Sequence, residues 1–193
     1  MQGEHYGTKV IENPEKIIEN IKEWILDSNE LYVCLSSGGM QFSYDYFFQT
    51  SRKVLDKCRR GEHKGIRFIT YIDKDNIDAV KNYLDAGAKI KHVKNLPPMS
   101  TCVSEKKALT TLEKMEGGKV VQSTLVSNDI AYVKYFIGIF NELWDKGIDA
   151  IERIEDIEEG RETNDELADA RQYVNLVLEE VSSMKNKTAK QEQ

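Results

Sequence analysis

Long hydrophobic runs are absent from this 193-residue sequence. The two longest, Ile66–Ile72 and Ala131–Phe140, are both interrupted by polar or charged residues. Because a membrane span needs roughly 20 consecutive apolar residues, neither run predicts one. The first ten residues contain Glu4 and lack an apolar core, so they do not resemble a secretory signal. These absences predict a soluble, cytoplasmic protein with no membrane partner.

Cysteine is scarce as well. Cys34, Cys58 and Cys102 are an odd number, show no CxxC spacing and have no pair of histidines nearby. This pattern argues against a disulfide framework and against a structural zinc site. We therefore expect three reduced cysteines, no bound metal and no cofactor.

Acidic residues outnumber basic residues by 33 to 27, and the excess is concentrated in one segment. Residues 149–169 hold ten acids against two arginines, a net charge of −8, whereas residues 1–148 sum to +1. A neutral body gives no global electrostatic case for binding nucleic acid. With 40% apolar and 31% charged residues, the composition is that of a globular protein, and the length suits one domain with an extension.

Short continuous apolar runs alternate with segments of helical spacing, which is typical of parallel β-α-β units. We predict strands at 31–35, 66–72, 89–93, 101–110 and 118–126, with a loop or helical turn at 112–117. We predict helices from Asn13, Ser43, Asp73 and Asn128. The first helix carries Ile17, Ile18, Ile21, Trp24 and Ile25 on one face. This order predicts an α/β fold in which a mixed β-sheet is sandwiched by helices.

The last predicted element is an amphipathic helix from about Asn164 to Met184, joined to the domain by an acidic helical linker from about residue 149. Its apolar residues follow a heptad seam: Leu167, Ala170, Val174, Val177, Val181 and Met184. The seam predicts a coiled-coil homodimer, and the alternative is a helix that folds back on its own domain. We therefore expect a domain at 1–160 and a C-terminal helix with a frayed tail at 161–193.

Six segments carry a resemblance to a known fold: Gly65–Thr70, Lys74–Ile77, Lys94–Pro98, Gly117–Lys119, Phe140–Ile148 and Arg153–Gly160. In this order they resemble a single half of a phospholipase D-like fold. They are most similar to the sensory input domain of archaeal sensory transduction histidine kinases, and more distantly to the sugar-sensing domain of TrmB-type regulators. The resemblance covers about residues 6–160.

The resemblance implies signal transduction rather than catalysis. It suggests an input module that binds a small ligand or a signalling protein partner and acts through dimerisation. A histidine kinase also needs a phosphoaccepting histidine on its dimer helix and an ATP-binding domain. The predicted C-terminal helix contains no histidine, and no nucleotide-binding segment follows it. We expect a free-standing input module or one that works within a larger signalling system.

Phospholipase D-like enzymes use a His-x-Lys-x4-Asp motif, in which histidine attacks phosphorus and lysine neutralises the phosphate oxygens. Here His92 and Lys94 supply the first two positions, but Met99 stands where aspartate is needed. The segment 99–110, where the resemblance places the motif, has neither histidine nor aspartate. We therefore expect no enzyme activity, and the alternative is a phosphodiesterase with a degenerate motif.

Polar loops follow the three predicted parallel strands, at the sheet edge where α/β folds bind ligands. The candidate ligand-binding residues are Ser36, Ser37, Gly38, Gly39, Asp73, Lys74, His92, Lys94 and Met99. If the loops converge, Ser37, Asp73, His92, Lys94 and Met99 line one pocket. The alternatives are a plain glycine-containing connection at 36–39, a helix cap at Asp73 and a surface position for His92. The sequence does not identify the ligand.

One interval is strongly basic: residues 52–67 hold seven bases against Asp56 and Glu62. Four aromatic residues precede it: Tyr44, Tyr46, Phe47 and Phe48. Such a surface could bind phosphate or a nucleic-acid backbone, which would suit a transcription-associated regulatory module. The alternative is a solvated helix end with its aromatic residues in the core.

Overall fold

The computed structural model describes residues 7–96, 99–116 and 119–161. Within these residues the chain is a mixed α/β fold with one eight-stranded sheet and five helices. The strands are β1 (Thr8–Ile11), β2 (Glu30–Leu35), β3 (Gly65–Thr70), β4 (Lys89–His92), β5 (Ser100–Val103), β6 (Ala108–Glu116), β7 (Lys119–Ser127) and β8 (Ile148–Asp149). The helices are α1 (Pro14–Asp27), α2 (Ser37–Arg59), α3 (Ile77–Asp85), α4 (Ile130–Lys146) and α5 (Ala150–Glu158). The predicted fold class is confirmed.

The centre of the sheet consists of three parallel strands, β2, β3 and β4. Leu31 pairs with Ile66 and Phe68 pairs with Ile90, so apolar side chains stand in rows across the strands. Helices α2 and α3 connect these strands, as parallel pairing requires. The apolar runs in the sequence therefore correctly predict the strands at the centre of the sheet.

Antiparallel strands extend this centre on both sides, in the order β1-β7-β6-β5-β2-β3-β4-β8. The predicted single strand at 101–110 is wrong, because a hairpin turn divides it into β5 and β6. Ser104 makes this turn: its Oγ accepts hydrogen bonds from the backbone N–H groups of Lys106 and Lys107, each at 3.2 Å. The predicted loop or helical turn at 112–117 is also wrong, because residues 112–116 belong to β6 and Glu116 pairs with Lys119 of β7.

Two short edge strands were not predicted. Strand β1 is largely exposed and pairs only with β7, where Thr8 lies opposite Ser127 and donates a 2.9 Å hydrogen bond to its Oγ. Strand β8 has two residues and pairs with β4. Both strands are held by partners distant in sequence, which gives them no local signal.

Helix α4 packs on one face of the sheet. Phe140 clusters there with Cys34 and Ile69, and its ring meets that of Tyr32 edge-on with centroids 5.3 Å apart. Arg67 places its guanidinium 4.5 Å from the centroid of Tyr32 and donates to Glu30 at 3.0 Å. Helices α1 and α2 lie against the opposite face, where they enclose the site described below.

The chain divides into two compact units, Met1–Arg153 and Ile154–Gln193. In the second unit, Arg161 pairs with Asp156 at 2.7 Å and with Glu159. The predicted heptad helix at 164–184 lies outside the described residues, so its dimer seam stays a prediction. The domain boundary at residue 160 also stays a prediction. None of the described helices is long and apolar enough to cross a membrane.

Candidate functional site

Helix α2 begins at Ser37, so the predicted start at Ser43 is wrong and residues 37–39 form its first turn. Ser36 is the N-cap, and its Oγ accepts a hydrogen bond from the Gly39 N–H at 3.1 Å. A side chain at position 39 would place its Cβ 3.2 Å from Ser36 Oγ and 3.3 Å from Ser100 Oγ. The cap and the close approach of α2 to β5 therefore outweigh the low helix propensity of the two glycines.

A cavity of about 670 Å³ lies between α1, α2 and one face of the sheet. Helix α1 contributes Pro14, Ile17, Ile18, Ile21 and Ile25, and the strands contribute Leu31, Val33, Ile66, Phe68 and Leu109. Phe42 and Tyr46 of α2 also line it and are 43% and 48% exposed, so the cavity reaches the surface beside α2. Its volume falls within the range of small-molecule sites.

Four hydroxyl-bearing residues that line this cavity, the hydroxyl row, lie near one another at one edge of it, and the others are Ser43 and Ser51 of α2 and Thr101 of β5. Ser36 directly follows β2, Ser100 pairs with Thr111, and Thr111 pairs with Thr124. The Oγ atoms of Thr111 and Thr124 are 3.3 Å apart. Gly39, which has no side chain, lies where α2 meets this row. The apolar rows lie further along the strands, so the cavity has a hydroxyl-rich end and a mainly apolar body, although α2 also contributes Ser43 and Ser51 to its lining.

No Asp, Glu, Lys, Arg or His is found among the described residues that line the cavity. Cys102 also lines it, and burial raises the pKa of its thiol to about 12, so the sulfur stays protonated at neutral pH. Acid–base and nucleophilic catalysis need a group that exchanges protons or attacks near that pH. The described lining residues therefore offer apolar surface and hydroxyl groups to a bound molecule.

Beside the cavity, the buried side chain of Asn76 ties together the loops after β2 and β3. Its Nδ2 donates to the Tyr71 carbonyl at 2.8 Å and to Ser37 Oγ at 3.2 Å. Its Oδ1 accepts from the Asp73 N–H at 3.1 Å. Asp73 in turn accepts from the N–H groups of Asp75 and Asn76. Asp73 therefore stabilises the turn before α3, but α3 begins at Ile77 with Asn76 at its N-cap position, so the predicted helix start at Asp73 and the capping alternative are wrong.

His92 ends β4 and is only 1% exposed, so its alternative position on the surface is wrong. Its Nδ1 accepts a 2.9 Å hydrogen bond from the Ile72 N–H, which assigns the proton of the neutral ring to Nε2. Nε2 is buried and has no hydrogen-bond partner among the described residues. Burial, followed by the charges of Arg153 and Lys94, lowers the His92 pKa to about 4. The imidazole is therefore neutral at physiological pH.

The nine candidate ligand-binding residues lie in different places in the structure: four line the cavity, three belong to a neighbouring loop cluster, and two are exposed. Four line the cavity: Ser36, Gly38, Gly39 and Met99. Ser37, Asp73 and His92 belong to the loop cluster around Asn76 and Ile72. Lys74 and Lys94 are exposed. Of the five residues predicted to line one pocket, only Met99 is among the described lining residues of this cavity, so the single pocket of Ser37, Asp73, His92, Lys94 and Met99 stays a prediction.

The sequence analysis did not identify the isoleucines of α1 as site residues. Ile17, Ile18 and Ile21 show helical apolar spacing, which indicates a buried face, and they are half-buried in the structure. A buried face and a cavity wall need the same side chains. The row of isoleucines was therefore the available signal in the sequence. It does not indicate whether the space opposite the helix is filled by other side chains or remains as a cavity.

The basic interval at 52–67 is largely paired with the protein's own acids. Arg59 lies 3.3 Å from Asp56, Arg60 lies 2.9 Å from Glu62, and Lys64 and Arg67 both contact Glu30. The aromatic residues before it also face inward in part: Phe47 is 5% exposed, and Tyr44 and Phe48 contact the ring of Tyr83. This arrangement favours a helix end with packed aromatic residues over a nucleic-acid surface.

The three cysteines are free, and no cluster of His, Cys, Asp or Glu suited to a metal ion occurs within residues 7–96, 99–116 and 119–161. No family model matches the sequence, and no curated protein gives a significant match.

Solved structures that share the fold include Nuc from Salmonella typhimurium, a phospholipase D family member (TM-score 0.57, 13% identity, 75% of this chain and 98% of that chain). NucT from Helicobacter pylori is similar too (TM-score 0.55, 12% identity, 75% and 99%). So is TrmBL2, an archaeal chromatin protein whose structure shows a novel mode of DNA binding (TM-score 0.54, 13% identity, 77% and 56%). The chain thus spans about half of TrmBL2. At these identities the likeness shows the fold, which is phospholipase D-like.

Proposed function

We propose that this chain is a non-catalytic regulatory input module that binds a small molecule and reports its presence through dimerisation. The observation that carries the proposal is the cavity between α1, α2 and the sheet, which is large enough for a ligand and has no charged side chain among its described lining residues. The relation to histidine kinase sensory domains belongs to this proposal and is supported by the sequence resemblance. The binding partner downstream is a second signalling protein.

Copurified ligand is the direct test. The protein is purified from its native host, denatured, and the released small molecules are identified by mass spectrometry. We expect one compound in near-stoichiometric amount, and thermal shift with that compound added back raises the melting temperature. A protein that releases no compound and responds to none in a metabolite panel would count decisively against a ligand-binding module.

Dimerisation is tested on the predicted seam. Val174→Glu with Val181→Glu places charges at two seam positions, and Asn175→Glu with Ser182→Glu places the same charges one residue away. Light scattering is expected to give a dimer for the unmodified chain and for the second variant, and a monomer for the first. A monomeric unmodified chain, or equal masses for both variants, would remove dimerisation from the proposal.

Phosphodiester hydrolysis is the second candidate, because the fold is shared with phospholipase D family members such as Nuc. The geometry does not favour it: His92 is buried, Lys94 is exposed, and Met99 lines the cavity instead of supplying a carboxylate. We expect no turnover of bis-p-nitrophenyl phosphate. Turnover that is lost in His92→Ala would establish an enzyme and end the present proposal.

A transcription-associated module is the third candidate, and the similarity to TrmBL2 supports it. In this chain, four bases of the interval 52–67 already contact carboxylates. We expect no mobility shift of duplex DNA at physiological salt. A shift that weakens steeply with salt would favour this candidate, because counterion release makes phosphate binding salt-dependent.

A further inference from the structure

The chemistry of the cavity walls identifies a class of ligand. We propose that the cavity binds an amphiphile with a hydrocarbon tail and an uncharged hydroxyl head; this inference rests on the proposed function and specifies its ligand. Polar metabolites such as phosphates would leave their charges against walls that offer no charged partner among the described lining residues.

The tail is assigned to the apolar body of the cavity. From Leu35 to Leu31 the strand β2 runs about 13 Å, and alternate residues along it face the cavity together with Ile66 and Phe68 of β3. On the other side, Ile17 and Ile21 of α1 are only half-buried although they point at this space. A tail placed here would cover apolar surface that the chain itself does not cover, and such burial is favourable.

The head is assigned to the hydroxyl row. Ser100, Thr111 and Thr124 lie next to one another across β5, β6 and β7, and Ser36, which follows β2, approaches Ser100 where both lie beside Gly39. Hydroxyl groups both donate and accept hydrogen bonds, so they match a ligand hydroxyl in either direction. The described residues of this row offer no cation to a carboxylate head and no acid to an ammonium head.

The test uses octanol, decanol and dodecanol with the full-length protein, with decanoate as the charged comparison. Binding is followed on methyl-labelled isoleucines by NMR. Shifts are expected at Ile17 and Ile21 and not at Ile130, which lies on α4. Each added methylene is expected to tighten binding about fourfold, the equivalent of about 0.8 kcal/mol. Decanoate is expected to bind more weakly than decanol.

Matched variants locate the site. Ile17→Trp fills part of the cavity and is expected to lose decanol binding at least about tenfold, whereas Ile130→Trp makes the same exchange on α4 and is expected to retain it. The isoleucine shifts of the unmodified protein give the answer independently should Ile17→Trp misfold.

Two results overturn the ligand class. Affinity that does not rise with chain length removes the hydrocarbon tail, and decanoate binding as tightly as decanol removes the uncharged head. After either result, the proposed function still holds if the copurified compound proves to be a ligand of another class. Absence of binding by every alcohol overturns this inference, and absence of any copurified or panel ligand overturns the proposed function with it.

Discussion

Replacing His92 by asparagine isolates the contribution of one buried imidazole to acid stability. The asparagine Oδ1 can accept the hydrogen bond that Nδ1 now accepts from the Ile72 N–H, and asparagine does not titrate. The substitution therefore keeps the local hydrogen bond while it removes the proton-binding group. The groups whose charges act on His92, namely Arg153, Lys94 and Asp73, remain in place.

The magnitude follows from the difference between the folded and unfolded pKa values. Burial lowers the His92 pKa from 6.5 to about 4. Above pH 7 the ring is neutral in both the folded and the unfolded state, so it does not change the free energy of unfolding with pH. As the pH falls through 6.5, the unfolded chain binds a proton that the folded protein excludes, so stability is lost between pH 6.5 and 4. The loss attributable to His92 is about 2 kcal/mol between pH 7 and 5, and about 3 kcal/mol once the pH reaches 4.

The assay is urea unfolding of both proteins, followed by circular dichroism at several pH values from 7 to 4. His63, whose pKa is also lowered by burial, and the carboxylates titrate equally in both proteins, so their contributions cancel in the difference. We expect His92→Asn to lose about 2 kcal/mol less than the unmodified protein between pH 7 and 5. Parallel pH dependences for the two proteins would refute the argument, because they would show that His92 accepts its proton as readily when folded.

Three further substitutions test the packing around the site, each by urea unfolding at pH 7. Asn76→Ala removes the buried amide that joins two loops and is expected to cost about 2–3 kcal/mol, whereas Asn82→Ala on the exposed side of α3 changes stability by less than about 0.5 kcal/mol. Arg67→Lys removes the guanidinium that lies over the Tyr32 ring and is expected to lower the free energy of unfolding by about 1 kcal/mol. Arg52→Lys, at an exposed position, serves as the control, and equal effects of the two substitutions would contradict the stacking. Trp24→Phe removes an indole N–H that donates a 2.9 Å hydrogen bond to the buried Ser104 Oγ. A decrease in the free energy of unfolding of less than about 0.5 kcal/mol would show that this hydrogen bond does not stabilise the fold.

The elements with local signals were predictable from the sequence. Asn13 accepts from the Lys16 N–H at the start of α1, and Asp129 accepts from the Ala131 N–H at the start of α4, as their positions before apolar helices indicate. Residues 31–35 of β2 are a continuous apolar run, and β3 is mainly apolar although it contains Arg67; such segments occur where helices cover both faces of a sheet. In each case the deciding residues lie within a few positions of one another.

The elements decided by distant partners were not predictable. Gly38 and Gly39 indicate a loop, but Ser36 and the contact with Ser100 make them helical. The cavity has the same origin, because the isoleucines of α1 have the pattern of any core helix. Only the arrangement of α1 and α2 over the sheet determines that a space remains between them.

The edge strand β1 has a consequence for synthesis on the ribosome. Thr8 pairs with Ser127, which is 119 residues later in the chain, and β1 has no other strand beside it. At typical elongation rates this strand waits roughly 6 to 24 seconds for its partner to be made. Its short length and Lys9 at its centre discourage pairing with a neighbouring chain during that interval, as charges on edge strands commonly do. Strand β1 is thus incorporated into the sheet only after β7 has been translated.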